Sequence, residues 1–232
     1  VFNGENEYVR QLYKKTKLRK ILYALSPDGD VDLWVEETKT TSEGSEFAVT
    51  AKDGRRFICR TRLLGRHNVL NILGGIALAL ELGMTSEEIT RGVAKVEPVE
   101  HRLQILPTGN GVTVIDDAFN SNPAGAQEAL SVLSGFTGRR LIVTPGMIEQ
   151  GEKEDELNYA FGTQMVSAVD VAILVGPNHT KPIFQGLIDS GFSREEIHVV
   201  SDLDEASALL RVIGQPGDTV LFENDLPDNY NE

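Results

Sequence analysis

Hydrophobic and polar positions follow two different patterns along the chain, and the change falls near residues 98–106. Before it, short apolar runs separated by turn residues predict antiparallel strands over residues 20–64. Asp53-Gly54 lies between two such runs, and an Asp-Gly pair in that position is a strong hairpin signal. The next stretch, residues 65–83, is apolar on nearly every side and predicts a buried helix. Thr85-Ser86-Glu87-Glu88 then has the capping-box pattern that begins another helix.

From residue 112 onward, short apolar runs alternate with amphipathic segments. This alternation predicts an α/β fold with a parallel sheet and helices on both of its faces. In such sheets the functional loops leave the carboxyl ends of the strands. The two patterns together predict two domains, residues 1–104 and residues 105–232. The predicted strands of the second are residues 112–116, 141–144, 171–175, 198–200 and 219–222, and its predicted helices are residues 123–133, 154–168, 180–190 and 203–213.

Charge and composition narrow the class of protein. The formal net charge of -13 argues against a nucleic-acid surface, which is normally basic, but it leaves a nucleotide ligand open. The single cysteine, Cys59, excludes an internal disulfide and fits a reducing compartment. No apolar run reaches the length of a membrane span, and the first residues do not resemble a signal peptide. We therefore expect a cytoplasmic protein, and the start at Val1 suggests a piece of a longer chain.

Several common catalytic motifs are missing from these 232 residues. There is no Gly-x-Ser-x-Gly elbow, no Gly-x-Gly-x-x-Gly fingerprint and no phosphate loop with Gly-Lys-Ser/Thr. The second absence weighs against a dinucleotide oxidoreductase. His179 and His198 have no second metal ligand at helical spacing, so we predict no metal site and a structural or solvent-facing role for both.

The stretch richest in candidate chemistry runs from Asp116 to Pro123. A predicted buried strand ends in Asp116 and Asp117, and Asn122 is placed to cap the next helix, with Pro123 at its first position. A carboxylate there could hold ribose hydroxyls or the water shell of a metal, and the helix start offers N–H groups to an anion. The alternative is a capped turn with solvated aspartates, and these residues alone do not choose between the two.

Two further stretches hold polar residues at informative places. Asn68 and Asn71 lie three apart at the start of the predicted buried helix, where carboxamides could contact the edge of a base. Arg102 lies where the hydrophobic pattern changes, and its guanidinium could bind a phosphate through two N–H groups. Taken alone, the first pair is better explained by a helix N-cap and one satisfied polar residue, and the arginine by a surface ion pair with Glu100.

Taken in order, these stretches resemble the Mur ligase family. The resemblance implies a Mur-type fold, in which the end of a central ATPase domain, built from antiparallel strands and helices, precedes a Rossmann-like carboxyl-terminal domain. It covers nearly the whole chain, and within the family the branch that adds D-alanyl-D-alanine is the better match. It is carried by Gly65–Asn71, which resembles the motif Gly-x-His-Asn-x-x-Asn, and by residues 100–104, 115–123, 143–151 and 2–6.

The resemblance also implies an activity and its ligands. Mur ligases use ATP and magnesium to phosphorylate a carboxylate, and an amine then attacks the acyl phosphate. The implied substrates are a UDP-muramoyl peptide and an amino acid or dipeptide acceptor. Arg102 would contact the phosphates and Asp117 the ribose, and both would be catalytic. The other implied contacts are His67, Asn68, Asn71, Asn120 and Asn122 for the nucleotide, and Glu149, Glu223, Asn224 and Asp225 for the substrate.

The chain departs from the family pattern in three ways. The family's phosphate loop, magnesium ligands and modified lysine all precede the region that begins here, so we expect these residues alone to be inactive. Ala118 and Phe119 replace the usual Ser and Tyr, and Gly146 replaces an Asp. Residues 223–225, Glu-Asn-Asp, replace the usual Lys-Gly-Ser, and an exposed acidic loop there would repel a carboxylate-bearing acceptor.

Two alternatives stay open at this point. The chain could be a nucleotide-binding or partner-docking module that kept the fold and lost the chemistry, which the replaced loop residues favour. It could instead belong to a ligase similar to folylpolyglutamate synthase. The retained Asn71, Arg102 and Asp117 oppose the first alternative, and the stretch after Asp116 opposes the second.

Overall fold

The computed structural model describes residues 1–119 and 121–224. Contacts between residues divide the chain into two units, Val1–Pro98 and a second that begins at Val99. The sequence predicted a boundary between two domains after residue 104. The division by contacts, after Pro98, is a different kind of boundary, so the predicted one stays a prediction. Within the described residues, no helix is both long and apolar enough to cross a membrane.

The first unit is built on a five-stranded sheet in the order β1-β2-β3-β4-β5. As predicted, β3, β4 and β5 pair antiparallel, but β1 pairs parallel with β2, and β2 parallel with β3. The prediction of antiparallel strands over residues 20–64 is therefore wrong for the pair β2 and β3, while β1 lies outside that range. The strands are β1 (Phe2–Asn3), β2 (Leu22–Ala24), β3 (Leu33–Thr41), β4 (Gly44–Ala51) and β5 (Arg56–Thr61), and the helices are α1 (Glu7–Lys15), α2 (Arg66–Glu81) and α3 (Ser86–Val93).

The physical reason lies in the connections between these strands. A parallel pair needs a crossover that returns the chain to the end where it started. Helix α1 supplies that crossover between β1 and β2, and residues 25–32 supply it between β2 and β3. The apolar runs indicated strands correctly, but they carry no information on direction.

Helix α2 is buried on one side rather than all round. Val69, Leu73 and Ile76 pack into the core with residues of β3, β4 and β5, whereas Leu78 and Leu82 are 53% and 75% exposed. The prediction of a fully buried helix is therefore wrong, because within this unit only one side of the helix meets the sheet. The capping box of α3 is confirmed by the reciprocal hydrogen bonds between Thr85 and Glu88.

The second unit is a six-stranded sheet in the order β10-β9-β8-β11-β7-β6. All neighbouring pairs are parallel except β6 with β7, so the predicted parallel sheet is confirmed. The antiparallel edge strand β6 was not predicted. The strands are β6 (Gln104–Leu106), β7 (Thr113–Asp117), β8 (Arg140–Thr144), β9 (Val171–Val175), β10 (Ile197–Val200) and β11 (Thr219–Glu223), and the helices are α4 (Pro123–Ser134), α5 (Glu154–Met165), α6 (Lys181–Asp189) and α7 (Leu203–Ile213).

Burial follows the predicted pattern in this sheet. The central strands are apolar along their length, and all five residues of β9 are buried, as expected for a sheet covered on both faces. Helices α5 and α6 approach each other closely through two glycines: a Cβ at Gly162 would lie 2.2 Å from the carbonyl oxygen of Ile183. A Cβ at Gly186 would lie 2.2 Å from the carbonyl oxygen of Tyr159, so no other residue fits at either position without moving the helices.

Candidate functional site

Polar side chains meet at the carboxyl edge of the second sheet because β11 lies between β7 and β8. Glu223 is in register with Asp117, and Phe222 with Val143, which places Thr144 beside Glu223 on the other neighbour. Loops leave β7 and β8 at this edge. The strand order thus brings the last residues of three strands, distant in sequence, into one row.

Glu223 is buried at this edge, with 1% of its surface exposed. Its carboxylate accepts a short hydrogen bond from Ser121 Oγ and a 2.8 Å bond from Thr144 Oγ1. Burial raises the pKa of Glu223 to about 7; the two hydroxyl hydrogen bonds lower it, and the nearby charge of Asp117 raises it. The interpretation of Glu223 as part of an exposed acidic loop is therefore wrong, because Glu223 ends β11 and its side chain points into the protein.

Asn224 follows directly and is also buried. Its φ of 63° is in the left-handed region, which asparagine tolerates better than most residues. The side chain accepts a 3.2 Å hydrogen bond from the backbone N–H of Ser121 and donates a 2.7 Å bond to the carbonyl oxygen of Gly146. Both groups of its carboxamide thus hold loop backbone. The next predicted substrate contact, Asp225, lies outside the described residues.

The segment that carries Arg102 is attached to the end of β7. His101 Nδ1 lies 2.8 Å from a carboxylate oxygen of Asp116, and the backbone N–H of Leu103 donates to Asp117 Oδ1 at 3.0 Å. The guanidinium of Arg102 lies over the ring of Phe119, 4.3 Å from its centroid. Sequence reasoning proposed Arg102 and Asp117 separately, and the structure brings them into one cluster.

The start of α4 is closed to an anion at its first N–H groups. Asn122 Oδ1 accepts from the N–H groups of Ala124 and Gly125, and the N–H of Ala126 donates to the carbonyl oxygen of Asn122. Pro123 has no N–H. The predicted N-cap is confirmed, but the expectation that this helix start offers free N–H groups is wrong, because the cap occupies them. Asn120 lies outside the described residues.

The loop after β8 is held from two sides. The carboxamide of Asn158 on α5 bonds the N–H and the carbonyl oxygen of Met147, each at 2.8 Å. Gly146 has a φ of 84°, and a Cβ there would lie 2.7 Å from Asn158 Oδ1, so this position favours a glycine in the present packing. Glu149, at the end of this loop, is exposed with a φ of 61°.

In the first unit, the predicted base-contacting residues lie at the start of α2. Asn68 Nδ2 donates to the carbonyl oxygen of Leu64 at 2.8 Å, while His67 and Asn71 are exposed on the helix surface. The helix is preceded by Gly65, whose φ of 88° needs a residue without a Cβ. Asn68 is therefore a satisfied polar residue, as one part of the alternative explanation expects. The other part, a side-chain N-cap, is wrong, because the helix is capped by Gly65 without a side-chain hydrogen bond.

Three residues at the carboxyl edge were missed from the sequence: Ser121, Thr144 and Asn158. Thr144 lies at the end of a predicted strand, which is a usable signal, but its neighbour depends on strand order. Asn158 lies inside a helix that is otherwise unremarkable in sequence. Elsewhere, burial raises the pKa of the Cys59 thiol to about 11, which disfavours the reactive thiolate. Within residues 1–119 and 121–224, no three metal-binding side chains lie together.

Comparison with known proteins defines the class. Residues 101–223 match the family model for the Mur ligase glutamate ligase domain, and residues 1–79 match that for the Mur ligase middle domain. The chain belongs to the Mur ligase family. The first match spans the cluster at the carboxyl edge, from His101 to Glu223.

Individual relatives narrow this further. The UDP-N-acetylmuramoyl-tripeptide–D-alanyl-D-alanine ligase of Mycobacterium tuberculosis is 30% identical over 96% of this chain and 47% of its own length. The MurF ligase of Thermotoga maritima, solved with ADP, superposes with a TM-score of 0.73 at 20% identity, covering 93% of this chain and 48% of that one. The folylpolyglutamate synthetase of Lactobacillus casei gives a TM-score of 0.61 at 17% identity, covering 93% and 48%.

The 30% identity in sequence confirms the resemblance to the D-alanyl-D-alanine-adding branch. The two solved structures, at 20% and 17% identity, show the fold alone. The chain spans about half the length of the curated relatives it matches.

Proposed function

We propose that this chain is the part of an ATP-dependent amide-forming ligase of peptidoglycan precursor synthesis that contacts the nucleotide and the incoming acceptor. The observation that supports it best is the cluster of Arg102, Asp117 and Phe119 at the carboxyl end of β7, within the span of the family match. An exposed guanidinium and a neighbouring carboxylate offer a cation for phosphate oxygens and an acceptor for ribose hydroxyls.

The proposed reaction has two steps. The γ-phosphoryl group of ATP passes to the carboxylate of a UDP-muramoyl peptide, giving an acyl phosphate and ADP. The amine of an amino acid or dipeptide then attacks the acyl carbon. A C–N bond forms, the C–O bond to the phosphoryl group breaks, and inorganic phosphate and one amine proton leave. Magnesium would neutralise phosphate charge. No three candidate ligands lie together in the described part of the chain, so we assign it to none of these residues.

Each proposed contact has a chemical reason. Arg102 would hold phosphate oxygens, and Asp117 the ribose hydroxyls, with Asn120 and Asn122 near the same nucleotide. Asn71 and His67 are exposed and could contact the base, with Asn68 beside them. Glu149 is exposed and remains the proposed acceptor contact on its loop. A cytoplasmic location follows from the nucleotide substrates and is part of the same proposal.

The test uses the complete protein with Arg102→Ala and Asp117→Asn. Asparagine keeps an oxygen for the N–H of Leu103 while removing the charge, so folding should be retained. Loss of one charge-assisted contact of about 1.5–3 kcal/mol should lower kcat/KM for ATP roughly ten- to a hundredfold. Matched controls are Arg211→Ala and Asp204→Asn, both exposed on α7.

Two results would contradict the proposal. Wild-type rates in both site variants would remove their assigned roles, and a complete protein that binds ATP without ligating would favour the non-catalytic module. Residues 1–232 alone contain no Gly-Lys-Ser/Thr phosphate loop, so we expect no magnesium-dependent ATP turnover from them.

The domain assignment is a further part of this proposal: residues 1–104 would end the central ATP-binding domain, and residues 105–232 would form the Rossmann-like domain. We expect the second to fold alone only if its edge strand is kept, because Gln104–Leu106 pairs with β7. Thermal unfolding of 99–232 and 107–232 tests this, and a cooperative transition in neither would contradict an independent domain.

A further inference from the structure

Two loops that carry proposed ligand contacts flank the end of β11. The first, within residues 118–122, lies between β7 and α4, and its described residues are Ala118, Phe119, Ser121 and Asn122. The second, residues 145–149, follows β8 and leads toward α5. They belong to neighbouring crossovers and are more than twenty residues apart in sequence. Their relative position therefore depends on what joins them across the edge of the sheet.

Glu223 joins both loops through one carboxylate. One oxygen accepts from Ser121 Oγ in the first loop, and the other accepts from Thr144 Oγ1 at 2.8 Å. Thr144 Oγ1 in turn accepts from the N–H of Gly146 at 2.9 Å, so the bond continues into the second loop. A buried carboxyl with two hydroxyl donors is an arrangement with fixed geometry, since each donor has its own oxygen.

Asn224 joins the same two loops through backbone groups. It accepts from the N–H of Ser121 at 3.2 Å and donates to the carbonyl oxygen of Gly146 at 2.7 Å. Its own N–H donates to the carbonyl oxygen of Asp117 at 3.2 Å. Asn224 thus bonds both loops directly, and Glu223 bonds the first directly and the second through Thr144. All the groups involved are buried or half-buried.

We propose that Glu223 and Asn224 are positioning residues that fix the nucleotide loop, residues 118–122, against the acceptor loop, residues 145–149. The pair acts through Ser121, Thr144 and Gly146 and does not itself touch a substrate. We call this hydrogen-bonded pair, Glu223 and Asn224, the clamp. The identity of the two ligands rests on the proposed function, but the clamp itself rests on the hydrogen bonds alone.

The chemistry of the clamp predicts which substitutions it tolerates. Glutamine at position 223 keeps an oxygen for Ser121 and can donate its NH₂ group to Thr144 Oγ1, whose own proton can rotate away. Leucine has a similar volume and removes both partners, which leaves two buried hydroxyls without them. Glu223→Gln and Glu223→Leu therefore separate the hydrogen bonds from the bulk of the side chain.

Amide hydrogen exchange in the 232-residue chain tests the clamp without any activity. In Glu223→Leu, the amides of Ser121 and Gly146 should exchange at least about tenfold faster, whereas Glu223→Gln should stay within about threefold of wild type. Glu195→Gln, an exposed site, is the control and should change nothing. Unchanged exchange in the leucine variant, or a glutamine variant that behaves like it, would overturn the proposal.

If Glu223→Leu does not fold, Ser121→Ala and Thr144→Val remove one hydrogen bond each. Each should speed exchange in both loops rather than only in its own, because the clamp joins them. Acceleration confined to the loop that carries the substitution would overturn the proposal.

The complete ligase supplies the functional readout. Misaligned loops should raise KM for ATP and for the acceptor about tenfold in Glu223→Leu, with a smaller change in kcat and recovery in Glu223→Gln. A purely structural defect would instead lower the amount of active enzyme at unchanged KM, and that result would contradict the clamp. If the wild-type protein does not ligate at all, the proposed function fails, while the exchange experiment still decides the clamp.

Discussion

The two edges of the parallel sheet in the second unit hold their charged groups in opposite ways. At the amino edge, Arg139 forms two hydrogen bonds with Asp218, and Arg140 forms two with the side chain of Asp170. At the carboxyl edge, Glu223 is held by two hydroxyls, and Asp117 by a backbone N–H among its contacts. Asp218 and Asp170 at the amino edge each pair with an arginine, whereas the two hydroxyls that bond Glu223 at the carboxyl edge carry no charge.

The difference shows in the pKa values. Burial raises the pKa of Asp218, but the hydrogen bonds from Arg139 and from the N–H of Gln215 outweigh it, so the net pKa is lowered. The pKa of Glu223 is raised to about 7, because burial dominates and its hydroxyl partners only partly offset it. The surroundings of Asp218 thus favour its charged form, and those of Glu223 disfavour it. Perturbed acids of the second kind are common at functional sites.

The largest expected effect is an opposite pH response of the two edges. A raised pKa means that the contribution of Glu223 to stability is fully present below pH 4.5 and is lost as the pH rises through about 7. One pKa unit corresponds to about 1.4 kcal/mol, so the loss should be at most roughly 3.5 kcal/mol. Asp218, with a lowered pKa, should lose its contribution only in acid, below its unfolded value near 3.8.

Urea unfolding of wild type and Glu223→Gln between pH 4.5 and 8 measures this response. The variant should lack the fall in stability that wild type shows, although Asp117 also faces this carboxyl and contributes its own charge. The one tryptophan, Trp34, lies in the first unit, so circular dichroism or hydrogen exchange must follow the second. Identical pH profiles would refute the comparison of edges.

The next effect concerns the amino edge. Arg139→Met leaves the buried carboxylate of Asp218 without its cation, and removing one charged partner should cost about 2 kcal/mol. Arg139→Met combined with Asp218→Asn should recover much of that loss, since no unpaired charge remains. Denaturant unfolding of the two single variants and the double variant is the measurement, and strictly additive losses would show that the pair is not coupled.

A smaller effect is expected at Thr144. Thr144→Val preserves the shape of the side chain but removes the hydroxyl that donates to Glu223 and accepts from the N–H of Gly146. The loss should be about 1.5 kcal/mol of unfolding free energy, and the pKa of Glu223 should rise further because a hydroxyl that lowers it is gone. A pKa for Glu223 that falls in this variant, measured by carboxyl ¹³C shifts, would contradict the account.

The smallest effect concerns the cap of α4. Asn122→Ala removes the oxygen that accepts from Ala124 and Gly125 and should cost about 1 kcal/mol. Asn122→Asp should keep most of the cap. If Asn122→Ala lowered stability but left the nucleotide affinity of the complete protein unchanged, the proposed nucleotide contact of Asn122 would be refuted. Its capping role would stand.

Local signals were read correctly where local physics decides the structure. The alternation of apolar strands and amphipathic helices in the second unit, the N-cap at Asn122 and the capping box at Thr85 each depend on residues within one or two turns. Arg102 and Asp117 were each found through their own sequence motif. The direction of β2, the one-sided burial of α2 and the edge strand β6 were not, because none has a local cause.

The sequence by itself determined the strands and helices of the second unit apart from β6, where helices α3 and α4 begin, and which family the chain resembles. These features follow from short-range periodicity, capping and motif spacing. Only the tertiary structure decided that β11 lies between β7 and β8. Because β11 has these neighbours, Glu223 is a buried carboxyl bonded to Ser121 and Thr144, and not the first residue of an exposed acidic loop. Burial and hydrogen-bond partners belong to the packed arrangement of distant segments, and so does the pKa that they set.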